Sequence, residues 1–169
     1  MNRKDRMIEY PVTEYYSRGW HDEDSHKVGK ILFLRGVPRC GKSTFCNNWL
    51  KNYHGIPKVV ISGDDFRLAT YGQEYCHTAE AAQGLTVFAA IRALVKRHLV
   101  LYDETNSSEF SLRRIFEIDK HAQYVTFTMA WNDVMKINDS TSRIPIEVFD
   151  RISYNLQDID PEEIRKDYV

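Results

Sequence analysis

The chain has 169 residues, and its 23 basic and 24 acidic side chains give a net charge of −1 at pH 7. This length fits a single domain with a substantial core, and the balanced charge excludes bulk attraction to nucleic acid or to an anionic membrane. The hydrophobic fraction of 43% and the charged fraction of 28% are typical of a folded globular chain. Any contact with nucleic acid therefore requires a local patch of charge.

Cysteine usage and the absence of long apolar runs predict the cellular location. The chain has three cysteines, Cys40, Cys46 and Cys76. Because their number is odd, and because Cys40 and Cys46 lie in or just after the segment 36–44, a disulfide framework is not expected. No run approaches the ~18 apolar residues of a membrane span, and the N-terminus has no apolar signal-peptide core. We therefore expect a cytoplasmic protein with no membrane partner.

Residues 1–29 are polar and irregular, with aromatic side chains scattered among charges, and we interpret them as an N-terminal extension. They form either an arm that packs its aromatic side chains on the domain or a segment that binds a partner or the substrate. The sequence leaves both alternatives open. The folded domain is predicted to span residues 30–169.

From residue 30 onward, short apolar runs alternate with segments of helical periodicity. The apolar runs predict strands at 31–34, 58–62, 99–103 and 124–128, and the periodic segments predict helices at 42–53, 78–98, 108–121 and 145–156. Strands that alternate with helices predict a parallel sheet with helices on both faces. Ligands of such sheets bind at the carboxyl ends of the strands. We expect the segments that follow three of these ends, at 36–44, 63–67 and 103–106, to converge on one site.

The first of these segments carries a phosphate-binding motif. Gly36, Gly41, Lys42 and Ser43 fulfil the spacing G-x-x-x-x-G-K-[ST] between a buried strand and a helix. The glycines let backbone N–H groups face the phosphates, Lys42 reaches the β- and γ-phosphates, and Ser43 places its hydroxyl on Mg²⁺. The motif predicts an α/β P-loop NTPase or kinase fold that binds ATP and Mg²⁺. The predicted nucleotide-binding residues are Gly36, Pro38, Arg39, Cys40, Gly41, Lys42, Ser43 and Thr44. A redox function of Cys40 in this electropositive loop is an alternative.

The second segment combines two carboxylates with an arginine. Asp64 follows a predicted strand and is placed to accept the proton of an attacking hydroxyl, while Arg67 is placed to bind an anionic group of the acceptor. This arrangement is typical of a kinase. The alternative is structural: Asp64 and Asp65 cap a helix that begins near Phe66, and Arg67 pairs with one of them.

The third segment resembles a Walker B strand, in which Asp103 holds Mg²⁺ directly or through water. Glu104 follows it at the position where hydrolysing NTPases commonly activate water. The segment therefore leaves a regulatory or partner-coupled NTPase open beside a kinase.

Taken together, the motifs resemble the kinase domain of the polynucleotide 5′-hydroxyl kinases, a family with a function in nucleic-acid repair. The shared features are the G-x-P-x-x-G-K-S-T loop, the D-D-x-R segment at 64–67, the D-x-T-N segment at 103–106, and a lid with a following I-P at 139–146. The resemblance covers residues 30–155 and implies a parallel sheet with a short lid.

The resemblance also implies functions for individual residues. It makes Asp64 the general base, has Arg67 contact the acceptor phosphate, and has Asp103 and Asn106 complete the metal and acceptor side. Arg113 is a further candidate for phosphate contact because it lies shortly after Asn106. The predicted catalytic residues are Lys42, Asp64, Arg67 and Arg143, and the predicted substrate-binding residues are Asp64, Arg67, Asn106 and Arg113.

The lid departs from the family pattern. Such kinases usually place arginines in this region, whereas residues 132–144 offer only Lys136 and Arg143, and lysine lacks the bidentate fork of arginine. The primary interpretation is an ATP-dependent kinase that acts on a polynucleotide 5′-hydroxyl. A small-molecule kinase is the nearest alternative, because Ser62-Gly63-Asp64-Asp65 also resembles the G-D-x-x-R segment of adenylylsulfate kinase.

Overall fold

The computed structural model describes residues 30–52, 57–72, 80–127, 131–140 and 144–168. The predicted N-terminal extension at 1–29, Cys76 and the lid residue Arg143 lie outside these residues.

In the described part of the chain, four parallel strands form one sheet. They are β1 (Ile31–Arg35), β2 (Lys58–Ser62), β3 (Leu99–Asp103) and β4 (Gln123–Thr126), and they lie side by side in the order β2-β3-β1-β4. Because the strands are parallel, their carboxyl ends lie at one edge of the sheet. The segments that follow β1, β2 and β3 are therefore neighbours.

Helices connect the strands and follow the last one. They are α1 (Lys42–Asn52), α2 (Gly63–Tyr71), α3 (Glu80–Leu94), α4 (Glu109–Ile118), α5 (Trp131–Ser140), α6 (Ile146–Asp158) and α7 (Pro161–Arg165), followed by a 3₁₀ turn at Lys166–Tyr168. Among the described residues, no helix combines the length and the apolar character needed to cross a membrane.

The core lies on both faces of the sheet because successive side chains of a strand point to opposite faces. Ile31 and Phe33 of β1 pack with buried residues of α3 and α4, whereas Leu32 and Leu34 pack with buried residues of α1. β1 is buried along its whole length, which explains its continuous apolar run. The predicted parallel sheet with helices on both faces is confirmed.

Helix α7 contributes Ile164 to the core, and its Arg165 adds polar contacts with the sheet domain. Arg165 lies over the ring of Phe116, 4.6 Å from its centroid, and donates hydrogen bonds to the carbonyls of Lys120 and Ala122 at 2.8 and 2.6 Å. These contacts hold α7 against α4 and the start of β4.

Helices α2, α5 and α7 differ from the predictions, which included no helix at Pro161–Arg165. Helix α2 begins at Gly63 rather than near Phe66, because the Ser62 hydroxyl accepts a hydrogen bond from the Asp65 backbone N–H and caps the helix. Helix α5 occupies a segment that was predicted only as part of the lid, and Val134 and Asn138 on this helix are buried four residues apart. Lid residues 141–143 lie outside the described part of the chain.

Candidate functional site

The loop between β1 and α1 has the backbone geometry of a phosphate cradle. Arg39 and Gly41 adopt positive φ angles of 67° and 97°, so the chain turns sharply before it enters α1. Alternation of left- and right-handed conformations in such a turn directs successive N–H groups toward one concavity, and the N-terminus of α1 adds its positive dipole end. Pro38 lies in the turn, and Ser43 and Thr44 are exposed in the first turn of α1.

Lys42 lies inside this loop. Its side chain is buried, and its ammonium group donates hydrogen bonds to the carbonyls of Gly36 and Val37 at 3.1 and 2.8 Å. The charge is therefore held at the centre of the loop, where a phosphate would meet both the ammonium group and the backbone N–H groups.

Gly36 is required by close packing rather than by backbone conformation. A Cβ at this position would lie 2.6 Å from Cys40 Sγ and 3.0 Å from Phe127 Cβ. No side chain larger than hydrogen fits without displacing the loop.

The first prediction uses this contact. Gly36→Ala is expected to lower the free energy of unfolding by about 1–3 kcal/mol because of overpacking, and to weaken nucleotide binding because Cys40 must move. Denaturant unfolding and a nucleotide titration measure the two effects. Gly84→Ala in α3 is the matched control: a Cβ there meets no described atom within 4 Å, so the substitution is expected to stabilise by about 0.5–1 kcal/mol. Unchanged stability and binding in Gly36→Ala would contradict the packing argument.

The two described cysteines have environments that suppress reactivity. Cys40 and Cys46 are free and buried. Burial raises the pKa of the Cys40 thiol, and neighbouring Lys42 offsets only part of this effect. Burial also raises the pKa of Cys46, and the adjacent carboxylate of Asp103 raises it further. Neither environment favours the thiolate on which a redox function of Cys40 would depend.

A second prediction follows from these environments. At mildly alkaline pH, Cys40 and Cys46 of the native protein are expected to react with iodoacetamide at least about tenfold more slowly than in the unfolded protein, since each unit of raised pKa lowers the thiolate fraction tenfold. Peptide mass spectrometry after timed quenching measures each site separately. Rapid labelling of native Cys40 would instead support the redox alternative.

An ionic chain connects the segments after β2 and β3. Arg67 forms an ion pair with Asp64 one turn earlier in α2, and its Nη1 lies 3.5 Å from Glu104 Oε2. Burial alone would lower the pKa of Arg67, yet the carboxylates of Glu104 and Asp64 together raise it. The side chains of Arg67, Glu104 and Asp64 are 12%, 19% and 62% exposed. The ionic chain therefore runs from the largely buried carboxylate of Glu104 to the accessible carboxylate of Asp64. Arg67 pairs with Asp64, as the structural alternative predicted, but the helix cap is Ser62.

Asp103 lies where β3 reaches the loop. It pairs in register with Ser62 of β2, and its carboxylate lies near the Cys46 thiol of α1, whose pKa it raises. Burial raises the pKa of Asp103, the charge of Lys42 lowers it, and the charge of Asp64 raises it again. Because Asp103 pairs with Ser62 at the end of β2, it lies at the same edge of the sheet as the phosphate loop and the start of α2.

The donor set at this point suits magnesium. The Ser43 hydroxyl and the Asp103 carboxylate are hard oxygen donors, and among the described residues no cluster of three or more His, Cys, Asp or Glu side chains forms a metal site. Mg²⁺ typically takes one or two protein oxygens and completes its shell with water and substrate phosphates. Two protein donors beside a phosphate cradle fit this pattern.

Two predicted substrate-binding residues lie in different surroundings. Asn106 is buried, and its amide donates hydrogen bonds to the carbonyls of Leu34 and Glu104 at 2.8 and 3.4 Å. Arg113 pairs with Glu109 in α4 and with Asp167 in the C-terminal turn, both at 2.8 Å. The structure therefore brings Lys42, Asp64, Arg67, Asp103 and Glu104 together, whereas the partners of Arg113 lie outside this cluster.

Sequence reasoning missed Arg35 and Cys46. Arg35 is buried at the end of β1 and donates hydrogen bonds to the carbonyls of Asn106 and Ile159. Burial lowers the pKa of Arg35. The sequence did carry a signal for Arg35, because this charged residue lies directly between the apolar run of β1 and Gly36 of the loop. Nothing in the sequence pattern linked Cys46 to Asp103.

Comparison with known proteins agrees with this geometry. No protein-family model matches the chain. The 2′,3′-cyclic-nucleotide 3′-phosphodiesterase of Rattus norvegicus is 31% identical in an alignment of 112 residues that covers 61% of this chain and 25% of that protein. A chain of the Pnkp1/Rnl/Hen1 RNA repair complex is 27% identical with a TM-score of 0.63 over 75% of this chain and 43% of that chain. The predicted resemblance to polynucleotide kinase domains is confirmed.

A more distant structure shares the fold alone. Kti12 of Chaetomium thermophilum, solved in complex with ADP-AlF3, is 11% identical with a TM-score of 0.59 over 78% of this chain and 82% of that chain. The present chain spans a quarter of the phosphodiesterase and less than half of the matched chain in the repair complex. The P-loop kinase fold is therefore established, and the comparisons support a nucleotide-binding, kinase-like function.

Proposed function

We propose that the chain is an ATP-dependent phosphotransferase that moves the γ-phosphoryl group to the 5′-hydroxyl of a polynucleotide. One observation carries the proposal: the phosphate loop and the Asp64–Arg67–Glu104 ionic chain lie at the same edge of the sheet. A phosphate cradle beside an exposed carboxylate supplies both ends of a phosphoryl transfer.

The loop residues hold the donor nucleotide. Backbone N–H groups of 36–44 and the N-terminus of α1 bind its phosphates, and Lys42 balances the charge that develops on the transferred group. Ser43 and Asp103 would hold Mg²⁺, which, when bound, neutralises the β- and γ-phosphate oxygens.

Asp64 acts on the acceptor. It accepts the proton of the attacking hydroxyl while the hydroxyl oxygen forms its bond to the γ-phosphorus and the bond from that phosphorus to the bridging oxygen breaks, which releases ADP. Its 62% exposed side chain is accessible to an incoming acceptor. Arg67 orients this carboxylate through their ion pair, and Glu104 supports Arg67 from the buried side.

The surroundings of Glu104 favour a kinase over a water-activating NTPase. Its Oε1 accepts a hydrogen bond from the Thr105 backbone N–H at 3.1 Å, and its Oε2 lies beside Arg67. Burial raises the pKa of Glu104, and the charge of Arg67 offsets part of this. Oε1 is thus bonded to the backbone and Oε2 is buried beside Arg67, whereas the Asp64 side chain is 62% exposed, which makes Asp64 the better candidate for a base.

The acceptor class rests on likeness. The chain is 27% identical to a component of an RNA repair complex, which favours a nucleic-acid end over a metabolite and is consistent with a function in repair. We further propose that residues 30–169 form the kinase domain, that the protein is cytoplasmic, and that Arg143, which lies outside the described residues, stabilises the transferred group. Contacts of Asn106 and Arg113 with the acceptor belong to the same proposal, although the described partners of Arg113 give it less support.

The test compares four acceptors in separate incubations. The protein is incubated with Mg²⁺ and γ-labelled ATP together with one of four acceptors: a 5′-hydroxyl RNA, the same RNA with a 5′-phosphate, a 5′-hydroxyl DNA, or a mixture of nucleosides and sugars. Label is expected on the 5′-hydroxyl oligonucleotides and absent from the 5′-phosphate control. Labelled metabolites without labelled oligonucleotide would favour the small-molecule kinase. Acceptor-independent hydrolysis that is lost in Glu104→Gln but kept in Asp64→Asn would favour the NTPase.

A further inference from the structure

Arg35 places a charged group inside the sheet domain, directly before the phosphate loop. It is the last residue of β1 and pairs in register with Thr126 of β4, and it is 3% exposed. Its Nε donates a hydrogen bond to the Asn106 carbonyl at 3.1 Å, and its Nη2 donates one to the Ile159 carbonyl at 3.0 Å. The guanidinium group therefore joins the segment after β3 to the connection between α6 and α7.

Asn106 connects the segment after β3 to the end of β1. Its amide donates a hydrogen bond to the Leu34 carbonyl at 2.8 Å, and the Thr105 carbonyl accepts one from the Gly36 N–H at 3.1 Å. Asn106 has a φ of 44°, a conformation that asparagine tolerates better than most residues. We call this group of hydrogen bonds, formed by Leu34, Arg35, Gly36, Thr105 and Asn106, the β1–β3 clasp.

The clasp begins where the pairing of β1 with β3 ends, while the pairing of β1 with β4 continues to Arg35 and Thr126. The register of β1 with β3 runs from Ile31 and Val100 to Phe33 and Tyr102. Gly36, where the phosphate loop starts, lies three residues beyond that last pair. Side-chain hydrogen bonds of Arg35 and Asn106, together with the Gly36 N–H, hold this stretch against the segment after β3. The position of the loop thus depends on the clasp.

Simple stability does not explain a buried arginine at this position. Taking a guanidinium group out of water costs free energy that hydrogen bonds only partly recover, and apolar replacements of buried charges are often neutral or stabilising. The planar fork of arginine does what an apolar residue cannot: it bonds two carbonyls of different segments in a fixed geometry.

We propose that Arg35 is a positioning residue for nucleotide binding, which acts through Asn106 and the β1–β3 clasp to set the start of the phosphate loop. The inference rests on the proposed function only in that the loop binds a nucleotide. It does not depend on which acceptor receives the phosphoryl group.

The test compares two arginines that each bond to backbone carbonyls. In Arg35→Lys, one ammonium group cannot reproduce both bonds, and the affinity for ADP measured by titration calorimetry is expected to fall about tenfold or more, because small displacements of a binding loop are costly. Arg165→Lys is the control, since it loses bonds to Lys120 and Ala122 at the far side of the domain. It is expected to lower the melting temperature while ADP affinity stays at the wild-type value.

A second variant covers the case in which Arg35→Lys fails to fold. Arg35→Gln removes the buried charge, keeps a donor for one carbonyl, and is expected to show the same loss of ADP affinity. Both variants are measured at a temperature at which their circular dichroism shows them fully folded. ADP affinity equal to wild type in a folded Arg35 variant, an equal loss in Arg165→Lys, or no ADP binding by the wild type would overturn the proposal. Wild-type ADP binding without any 5′-phosphorylation would remove the proposed acceptor and leave this inference intact.

Discussion

Lys42→Met is expected to reduce ATP-dependent phosphoryl transfer by about 10³-fold or more, because it removes the charge that meets the transferred group in the transition state. The ammonium group of Lys42 lies at the centre of the loop, bonded to the carbonyls of Gly36 and Val37. Methionine keeps a chain of similar length, so the loop is expected to keep its fold. Transfer of γ-label, measured under saturating ATP and alongside the melting temperature, gives the effect on the reaction separately from stability.

The control for this substitution lies in the same helix. Lys51 is exposed in the last turn of α1, and Lys51→Met is expected to transfer phosphate at the wild-type rate. Activity of Lys42→Met close to that of Lys51→Met would mean that the loop does not bind the phosphates of the reacting nucleotide.

Asp64→Asn is expected to lower kcat by about 10²- to 10⁴-fold, the range over which general-base catalysis contributes. Asparagine keeps the size of the side chain but cannot take the proton of the acceptor hydroxyl. ADP affinity is expected to change little, because the phosphates are held by the loop and not by α2. The split between a large effect on kcat and a small effect on nucleotide affinity is the signature of a residue that serves the acceptor.

Asp65 supplies a matched comparison for Asp64. It is the next residue in the first turn of α2, and its side chain is also exposed. Asp65→Asn preserves the N–H bond to Ser62 and is expected to retain most of the wild-type kcat. Equal losses in the two variants would indicate a general effect of charge in the first turn and would argue against Asp64 as the base.

The sheet could be predicted from the sequence because its signals are local. β2 and β3 match the predicted strands residue for residue, since each is a short apolar run bounded by residues that end a strand. The same reasoning located the loop and the carboxylates after β2 and β3, because parallel strands bring their carboxyl ends to one edge. The ion pair between Arg67 and Glu104 was not foreseen, although both residues had been singled out.

The contacts that were not foreseen join residues that are far apart in the chain. The carbonyls that bind Arg35 lie 71 and 124 positions away, so no window of sequence could show them. Asn106 was predicted from its motif to bind the substrate, which stays a prediction, and the hydrogen bond from its amide to the Leu34 carbonyl, 72 positions away, was not foreseen. Helix α5 was missed because residues 132–144 were interpreted as the lid of related kinases. The helical spacing of Val134 and Asn138 was not used.

The most direct test of the proposed reaction locates the transferred phosphate on the acceptor. A 5′-hydroxyl RNA is incubated with the protein, Mg²⁺ and γ-labelled ATP, and is then digested with a nuclease that releases 5′-mononucleotides. We expect all label in the mononucleotide derived from the 5′-terminal position, and labelling that is slower by about 10²-fold or more with Asp64→Asn. Label released only as inorganic phosphate, or found on small molecules while the RNA stays unlabelled, would contradict polynucleotide 5′-hydroxyl phosphorylation.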